Sequence, residues 1–335
     1  MENKSNRQVL LAKRPDGMPG NENFEIRESQ FPGIKDDEIL TKNLYVSVDP
    51  YMRGRMTDTG GSPYSFGLHE LITGRTIGEV LESRSPLFSK GDYVIGMMGW
   101  EEYSAVNAGD VEKLDPDMAP LSAYLGVIGM TGLTAYFGLL DVAKAEKGET
   151  VVVSAAAGAV GNVAGQIAGI KGCRVVGIAG SDEKIKMLKH ELSFDDAINY
   201  KTTSDLAGAI RKACPRGVDV YFDNVGGEIS DAVLSNLNRN ARIAVCGQIS
   251  LYNLEETPTG PRVQPVLLAR SATMEGFMVG NYTDKYHEAR QQLARWLKDG
   301  KLVSREHIVE GFEHITDAFI GLFTGDNTGK QVVKL

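Results

Sequence analysis

The stretch Val151-Val152-Val153-Ser154-Ala155-Ala156-Ala157-Gly158-Ala159-Val160-Gly161 decides the fold. Val151–Ala156 is a short apolar run that reads as a strand. Val160–Lys171 follows, with Val160, Val163, Ala164, Ile167 and Ile170 on one helical face. A strand that turns through glycines into a helix is the dinucleotide-binding fingerprint, here with alanine in its first glycine place. Each residue type has a physical reason. Gly158 lets the backbone approach a pyrophosphate. Gly161 lets the helix pack closely on the strand. The helix N-terminus, with Ala159 and Val160 in its first turn, offers unpaired N–H groups and a partial positive charge. The bland alternative is a tight turn without a ligand. Gly165 and Gly169 extend the small face of the helix and read as packing positions.

The residues downstream supply the context that the fingerprint needs. Strand patterns at Arg174–Ala179, Ala197–Tyr200, Val218–Asp223, Ala241–Gly247 and Met274–Val279 alternate with helix patterns at Glu183–Glu191, Leu206–Ala213 and Ile229–Leu237. A long amphipathic helix over Asp284–Lys298 closes the series. Such alternation predicts a doubly wound α/β domain with a parallel sheet over residues 126–300. Upstream, Glu38–Val48, Gly74–Glu82 and Asp92–Met98 read as strands separated by turns, so residues 1–125 form a β-rich unit, a partly closed barrel. His307–Val309, Ile315–Phe323 and Gln331–Val333 read as strand, helix and strand, and residues 301–335 return to complete that first domain.

The totals agree with two domains: 335 residues, ordinary globular composition and a net charge of −8. An acidic chain without a basic run is a poor partner for nucleic acid. No apolar stretch is long enough for a membrane span. Met1–Arg14 lacks the apolar core of a secretory signal, and the cysteines, Cys173, Cys214 and Cys246, suit a reducing cytoplasm.

A zinc alcohol dehydrogenase would need Cys and His ligands early in the chain, yet no cysteine precedes Cys173, so no metal is expected. His69-Glu70 lacks a thiolate companion and reads as a surface pair. No Gly-x-Ser-x-Gly elbow supports a serine nucleophile. The second strand ends in Ala179-Gly180-Ser181-Asp182-Glu183-Lys184. Asp182 stands where an acid would bind the ribose diol of NAD. Ser181 or Asp182 also reads as a helix N-cap, and Ser181 with Lys184 could hold a 2′-phosphate. The residues alone leave NAD and NADP open, with NADP slightly favoured.

Several strings, in order, now carry a resemblance. They are Val48-Asp49-Pro50-Tyr51-Met52-Arg53-Gly54, Gly129–Tyr136, Val151–Gly161, Lys171–Lys184, Phe222–Gly227, Cys246–Asn253, Met274–Phe277 and Asn327–Lys330. From about Val46 to its C-terminus the chain resembles the zinc-free leukotriene B4 12-hydroxydehydrogenase/prostaglandin reductase branch of the medium-chain dehydrogenase/reductase superfamily. That branch includes plant and bacterial double-bond (2-alkenal) reductases. The resemblance implies a GroES-like β-barrel domain plus a Rossmann doubly wound domain, with the active site in the cleft between them. It implies a homodimer joined through the nucleotide-binding domain. It implies NADPH, with the 2′-phosphate near Ser181, Lys184 and Tyr200. Asn224, Cys246, Gly247, Ser250, Tyr252, Phe277, Val279 and Asn327 would line the rest of the cofactor.

The implied reaction is hydride addition to the β-carbon of an enal or enone. Charge then builds on the carbonyl oxygen, and a proton must reach the α-carbon. Tyr51 looks like the family's active-site tyrosine; a core aromatic after a turn is an equal alternative, and the cofactor ribose hydroxyl is another donor. Arg53 reads either as a partner of a substrate carboxylate or as a structural salt bridge. One departure stands out. Relatives often carry an Asn-Tyr pair after a Gly-Pro, whereas this chain has Gly260-Pro261-Arg262-Val263-Gln264-Pro265, and Gln264 is no useful acid. Two other readings remain: a quinone reductase sharing the cofactor site, and an NADPH-binding sensor without turnover.

Overall fold

A computed structural model describes residues 5–58, 64–256 and 258–335. Parts of two loops expected to set pocket width, residues 59–63 and 257, lie outside them. The chain divides into two compact units: one of residues 1–125, 306–327 and 331–335, the other of residues 126–305 and 328–330.

The first unit is built from β1 (Ser5–Leu11), β2 (Phe24–Gln30), β3 (Glu38–Ser47), β4 (Thr73–Ser83), β5 (Tyr93–Gly99), β6 (Tyr103–Asn107) and β7 (Val111–Lys113), with a short helix α1 (Met52–Arg55). Near the C-terminus follow β14 (Glu306–Glu310), α9 (Ile315–Thr324) and β15 (Lys330–Lys334). Seven strands form one sheet in the order β14-β15-β3-β4-β5-β7, with β6 paired to β3. β15 runs antiparallel to β3, with Val332 opposite Ser47 and Val333 opposite Val46. The core of this unit gathers Val46, Val48, Met52 and Trp100 around Phe312 and Phe319. The distant C-terminal helix thus completes the packing of the N-terminal strands. β1 and β2 form a separate antiparallel pair that the sequence pattern did not mark.

The second unit contains β8 (Thr150–Val153), β9 (Arg174–Ala179), β10 (Asp196–Asn199), β11 (Val218–Asp223), β12 (Leu237–Val245) and β13 (Thr273–Gly276). Its helices are α2 (Met130–Phe137), α3 (Ala159–Ile170), α4 (Asp182–His190), α5 (Leu206–Ala213), α6 (Gly227–Leu234), α7 (Gln264–Arg270) and α8 (Tyr286–Lys298). The sheet order is β10-β9-β8-β11-β12-β13, and the pairs are parallel. This is the doubly wound Rossmann arrangement, whose order reverses between β8 and β11. Val151, Val152 and Val153 are fully buried, as expected for a central strand covered on both faces.

Three boundaries differ from expectation. The helix expected over Ile229–Leu237 ends at Leu234, and Leu237 already pairs with Val218. A register shift between Val218 and Val220 lets β12 begin early, so its apolar residues Leu237 and Ala241 join the core as strand residues. β13 stops at Gly276, and a tight turn from Val279 to Lys285 replaces its expected end. Gly169 is no packing position, for a side chain there would meet nothing within 4 Å. Gly165 does pack, against the ring of Phe194.

Candidate active site

In an open parallel sheet, ligands bind outside the carboxyl ends of the strands at the point where the order reverses. Here that point is where β8 and β11 end. β8 runs into Ala155, which holds φ at 46° although it is not glycine. The N–H of Gly158 donates to Ala155 O at 2.9 Å, closing the turn. Gly158 then caps α3, and it has no side chain to satisfy the first-turn N–H groups of Ala159, Val160 and Gly161. No acidic residue occupies that turn. The result is a helix N-terminus whose donors are open to an anion. A Cβ on Gly161 would stand 2.3 Å from Ala155 O, so the helix reaches the strand only because that residue is glycine. From the C-terminus, Gly329 donates its N–H to Ala157 O at 2.7 Å and bridges to Gly158. Asn327 lies two residues before it.

Across the reversal point, Asn224 ties the two strand ends together. Its backbone N–H donates to Ser154 Oγ at 2.9 Å and its amide to Ser154 O at 2.8 Å. Behind it, one oxygen of buried Asp223 accepts from the Tyr221 hydroxyl at 2.8 Å and from the N–H groups of Val225 and Gly226 at 3.0 and 2.9 Å. Ser154 Oγ donates to the same oxygen at 3.2 Å. Burial and this carboxylate hold the Tyr221 phenol well above its ordinary range, so it stays a donor. These bonds fix the loop after β11 without using any group of Cys246 beyond its backbone N–H, which donates to Asp223 O at 2.8 Å.

At the end of β9, Ser181 caps α4 and accepts the N–H of Lys184 at 3.3 Å. The competing acid is engaged: Asn199 Nδ2 donates to Asp182 Oδ1 at 2.7 Å. Tyr200, at the end of β10, is 38% exposed and its hydroxyl lies beside Gly180.

Beyond the ends of β12 and β13 a cavity of about 470 Å³ is lined by Val245, Cys246, Gly247, Gln248, Tyr252, Gly276, Phe277, Met278 and Asn281. That volume lies within the usual range for small-molecule sites. Asn281 lies two residues beyond the expected end of β13, on the turn of residues 279–285, where no motif marks it. The Tyr252 hydroxyl accepts the N–H of Gln248 at 3.3 Å. Ser250 Oγ donates to Val225 O at 2.6 Å and so braces this loop against the one after β11. Phe277 packs edge-on against Phe222, while Val279 begins the following turn. Burial pushes the Cys246 thiol up to about 12, with Asp223 adding to the effect. It is therefore a neutral wall of the cavity.

In the first unit, Tyr51 precedes α1 and is partly buried against the aliphatic and aromatic core. Burial, then the nearby Asp49 carboxylate, raises its phenol above the ordinary range, while Arg55 and Arg75 oppose this weakly. It is a neutral hydrogen-bond donor at physiological pH. Arg53 stands in a structural setting, with the Asp16 carboxylate acting on its charge. It is buried and donates to Gly17 O at 2.9 Å, Pro15 O at 3.3 Å and Thr57 Oγ1 at 3.1 Å, so it fastens the loop of residues 15–17. Gln264 opens α7 and is exposed. Among the described residues no group of three or more His, Cys, Asp and Glu side chains is placed to hold a metal ion, and no helix is long and apolar enough to cross a membrane.

Comparison with known proteins agrees with this geometry. Residues 7–114 match the family described as N-terminal domain of oxidoreductase, and residues 159–298 match the family described as zinc-binding dehydrogenase. YfmJ of Bacillus subtilis (strain 168), named as an NADP-dependent oxidoreductase, is 57% identical over 333 residues, covering 99% of this chain and 98% of its own. The 2-alkenal reductase (NADP(+)-dependent) of Nicotiana tabacum is 46% identical over 338 residues, covering 99% and 98%. The crystal structure of CurA in complex with NADPH from Vibrio vulnificus superposes with a TM-score of 0.92 at 42% identity, covering 98% of each chain.

Proposed function

This chain belongs to the medium-chain dehydrogenase/reductase superfamily, in the branch of the prostaglandin and 2-alkenal reductases, and on that premise we propose that it reduces the carbon–carbon double bond of small α,β-unsaturated aldehydes and ketones with NADPH. One arrangement carries the reading: the glycine turn, Ser181 with Lys184, Asn224 and the cavity beside Cys246 all stand at the carboxyl ends of one parallel sheet. That is where a dinucleotide lies in this fold.

The residues present fit the cofactor. The uncapped first turn of α3 and the backbone of Gly158–Gly161 would hold the pyrophosphate. Ser181, Lys184 and Tyr200 would hold the 2′-phosphate. Asn224, Cys246, Gly247, Ser250, Tyr252, Phe277, Val279 and Asn327 would line the ribose and nicotinamide. NADPH, when bound, supplies the hydride for the substrate β-carbon. The remaining work belongs to the chain. Tyr51 donates a hydrogen bond to the substrate carbonyl oxygen, where charge builds in the transition state, and its raised pKa keeps the proton in place until then. Uptake at the α-carbon uses Tyr51, the ribose hydroxyl or water, since Gln264 is no acid. The proposal includes a cytoplasmic homodimer joined through the second unit. The open outer edge of β13 and the three free cysteines support it.

Loss of NADPH absorbance is measured against 2-alkenals, enones and quinones, with NADH as control and product analysis. Rapid loss with enals or enones, yielding the saturated carbonyl, is the expected result. Turnover of quinones alone would give the chain to the quinone reductases. NADPH binding without turnover would make it a sensor.

A further inference from the structure

The adenosine end of the site contains a residue that no motif marked. A Cβ built on Gly180 would stand 3.1 Å from Tyr200 Cε1, 3.3 Å from the Tyr200 hydroxyl and 3.2 Å from Lys201 Cε. Lys201 thus reaches back over the end of β9 to Gly180, although the chain places it after β10. Asn199 sets this arrangement from both ends of its amide. Asn199 Oδ1 accepts the backbone N–H of Lys201 at 3.1 Å, while Nδ2 donates to Asp182 Oδ1 at 2.7 Å. The end of β9 is where a Rossmann sheet presents the adenosine ribose, and an acid there selects the unphosphorylated diol.

We propose that Lys201 is a second cation for the 2′-phosphate of NADPH, beside Lys184, and that Asn199 positions it while occupying the carboxylate of Asp182. The inference rests on the NADPH reading above and extends it to a residue which that reading does not include. The physical case is charge balance. A phosphate monoester carries about −1.5 to −2 charges near neutral pH. The first turn of α4 adds the acids Asp182 and Glu183. Lys184 by itself leaves that total uncompensated. Lys201 supplies a further positive charge beside Gly180, next to the Tyr200 hydroxyl. A side chain at Gly180 would press on Tyr200 and Lys201.

The test is binding, not turnover. Titration calorimetry compares adenosine 2′,5′-bisphosphate with ADP on the whole protein and on Lys201→Ala, Lys201→Arg and Lys186→Ala. Lys186 is an exposed lysine of α4 and serves as the control for net charge. Lys201→Ala should weaken the bisphosphate about 10-fold, as for one exposed charge-assisted contact, and leave ADP unchanged. Lys201→Arg should restore most of the loss, and Lys186→Ala should change neither ligand appreciably. Asn199→Ala should lower the ratio of NADP+ to NAD+ affinity. Equal weakening of both ligands by Lys201→Ala, or a loss no larger than that of Lys186→Ala, would overturn the role of Lys201. An unchanged cofactor ratio in Asn199→Ala would overturn that of Asn199. A parent protein that binds the bisphosphate no better than ADP would instead sink the NADPH reading itself. Lys201 is exposed, so its replacement leaves the fold intact, and unchanged melting temperatures verify this.

Discussion

Two glycines on one helix should respond to the same substitution with opposite signs. In Gly161→Ala the new Cβ would stand 2.3 Å from Ala155 O and 2.9 Å from both Ala155 C and Ala156 Cα. Every one of these atoms is backbone, so no side chain can swing aside. A comfortable carbon–oxygen contact is about 3.3 Å, so α3 and the turn must separate by about 1 Å. Such overpacking costs about 1–3 kcal/mol, and the backbone partners put this case at the upper end. Alanine returns up to about 1 kcal/mol through helix propensity. The net loss is then about 1–2 kcal/mol, a fall in Tm of roughly 2–8 °C for a unit of this size. Gly169→Ala, near the other end of α3, meets nothing within 4 Å and is exposed. It should gain about 0.5–1 kcal/mol and raise Tm by roughly 1–4 °C. Thermal denaturation followed by circular dichroism measures both, and calorimetry with NADP+ measures the cofactor. Gly161→Ala should also bind NADP+ more weakly, because the displaced turn is the one proposed to hold the pyrophosphate. A Gly161→Ala protein that melts at or above the parent temperature would refute the reasoning.

Four further outcomes follow from the structure. Tyr51→Phe should lower kcat about 10²-fold with little change in NADP+ affinity, as for loss of one donor at a developing oxyanion; unchanged kcat would take Tyr51 out of the chemistry. Since burial and Asp49 disfavour its phenolate, the rate should show no loss from Tyr51 ionisation as pH rises towards the ordinary tyrosine range, and a downturn there that vanishes in Tyr51→Phe would contradict this. Burial raises the thiols of Cys173 and Cys214 to about 11 and of Cys246 to about 12, which disfavours the thiolate. Native protein at pH 8 should therefore label with iodoacetamide about 10²-fold or more slowly than a free thiol, read by intact mass, and labelling at the free-thiol rate would contradict the burial described. Gly329→Ala faces a φ of 79° and Arg305 O at 2.1 Å from its new Cβ. It should cost at least about 1–3 kcal/mol and weaken NADP+ binding through loss of the bond to Ala157, and an unchanged Tm would count against that role.

The sequence by itself determined the parallel sheet, its order of strands and helices, and the turn at Gly158–Gly161. These are local signals: an apolar run, a 3.6-residue period and glycines at fixed offsets are all written within a dozen residues. A helix cap at Ser181 or Asp182 was legible for the same reason, and the structure gives it to Ser181. The resemblance added Tyr200, Asn224 and Tyr51, whose types are ambiguous when read alone. Other features arise only when distant segments meet. Lys201 reaches Gly180 because β10 pairs beside β9. Asp182 is engaged because Asn199, seventeen positions later, comes within hydrogen-bond distance. Arg53 turned out to fasten carbonyls of residues 15 and 17, partners that no spacing rule connects to it. β12 began four residues early because its ladder with β11 shifts register. Asn281 lines the cavity from the turn of residues 279–285 that follows β13. Periodicity and capping act along the chain, whereas pairing register and side-chain satisfaction are settled across it, by whichever buried donors and acceptors the fold leaves to be matched.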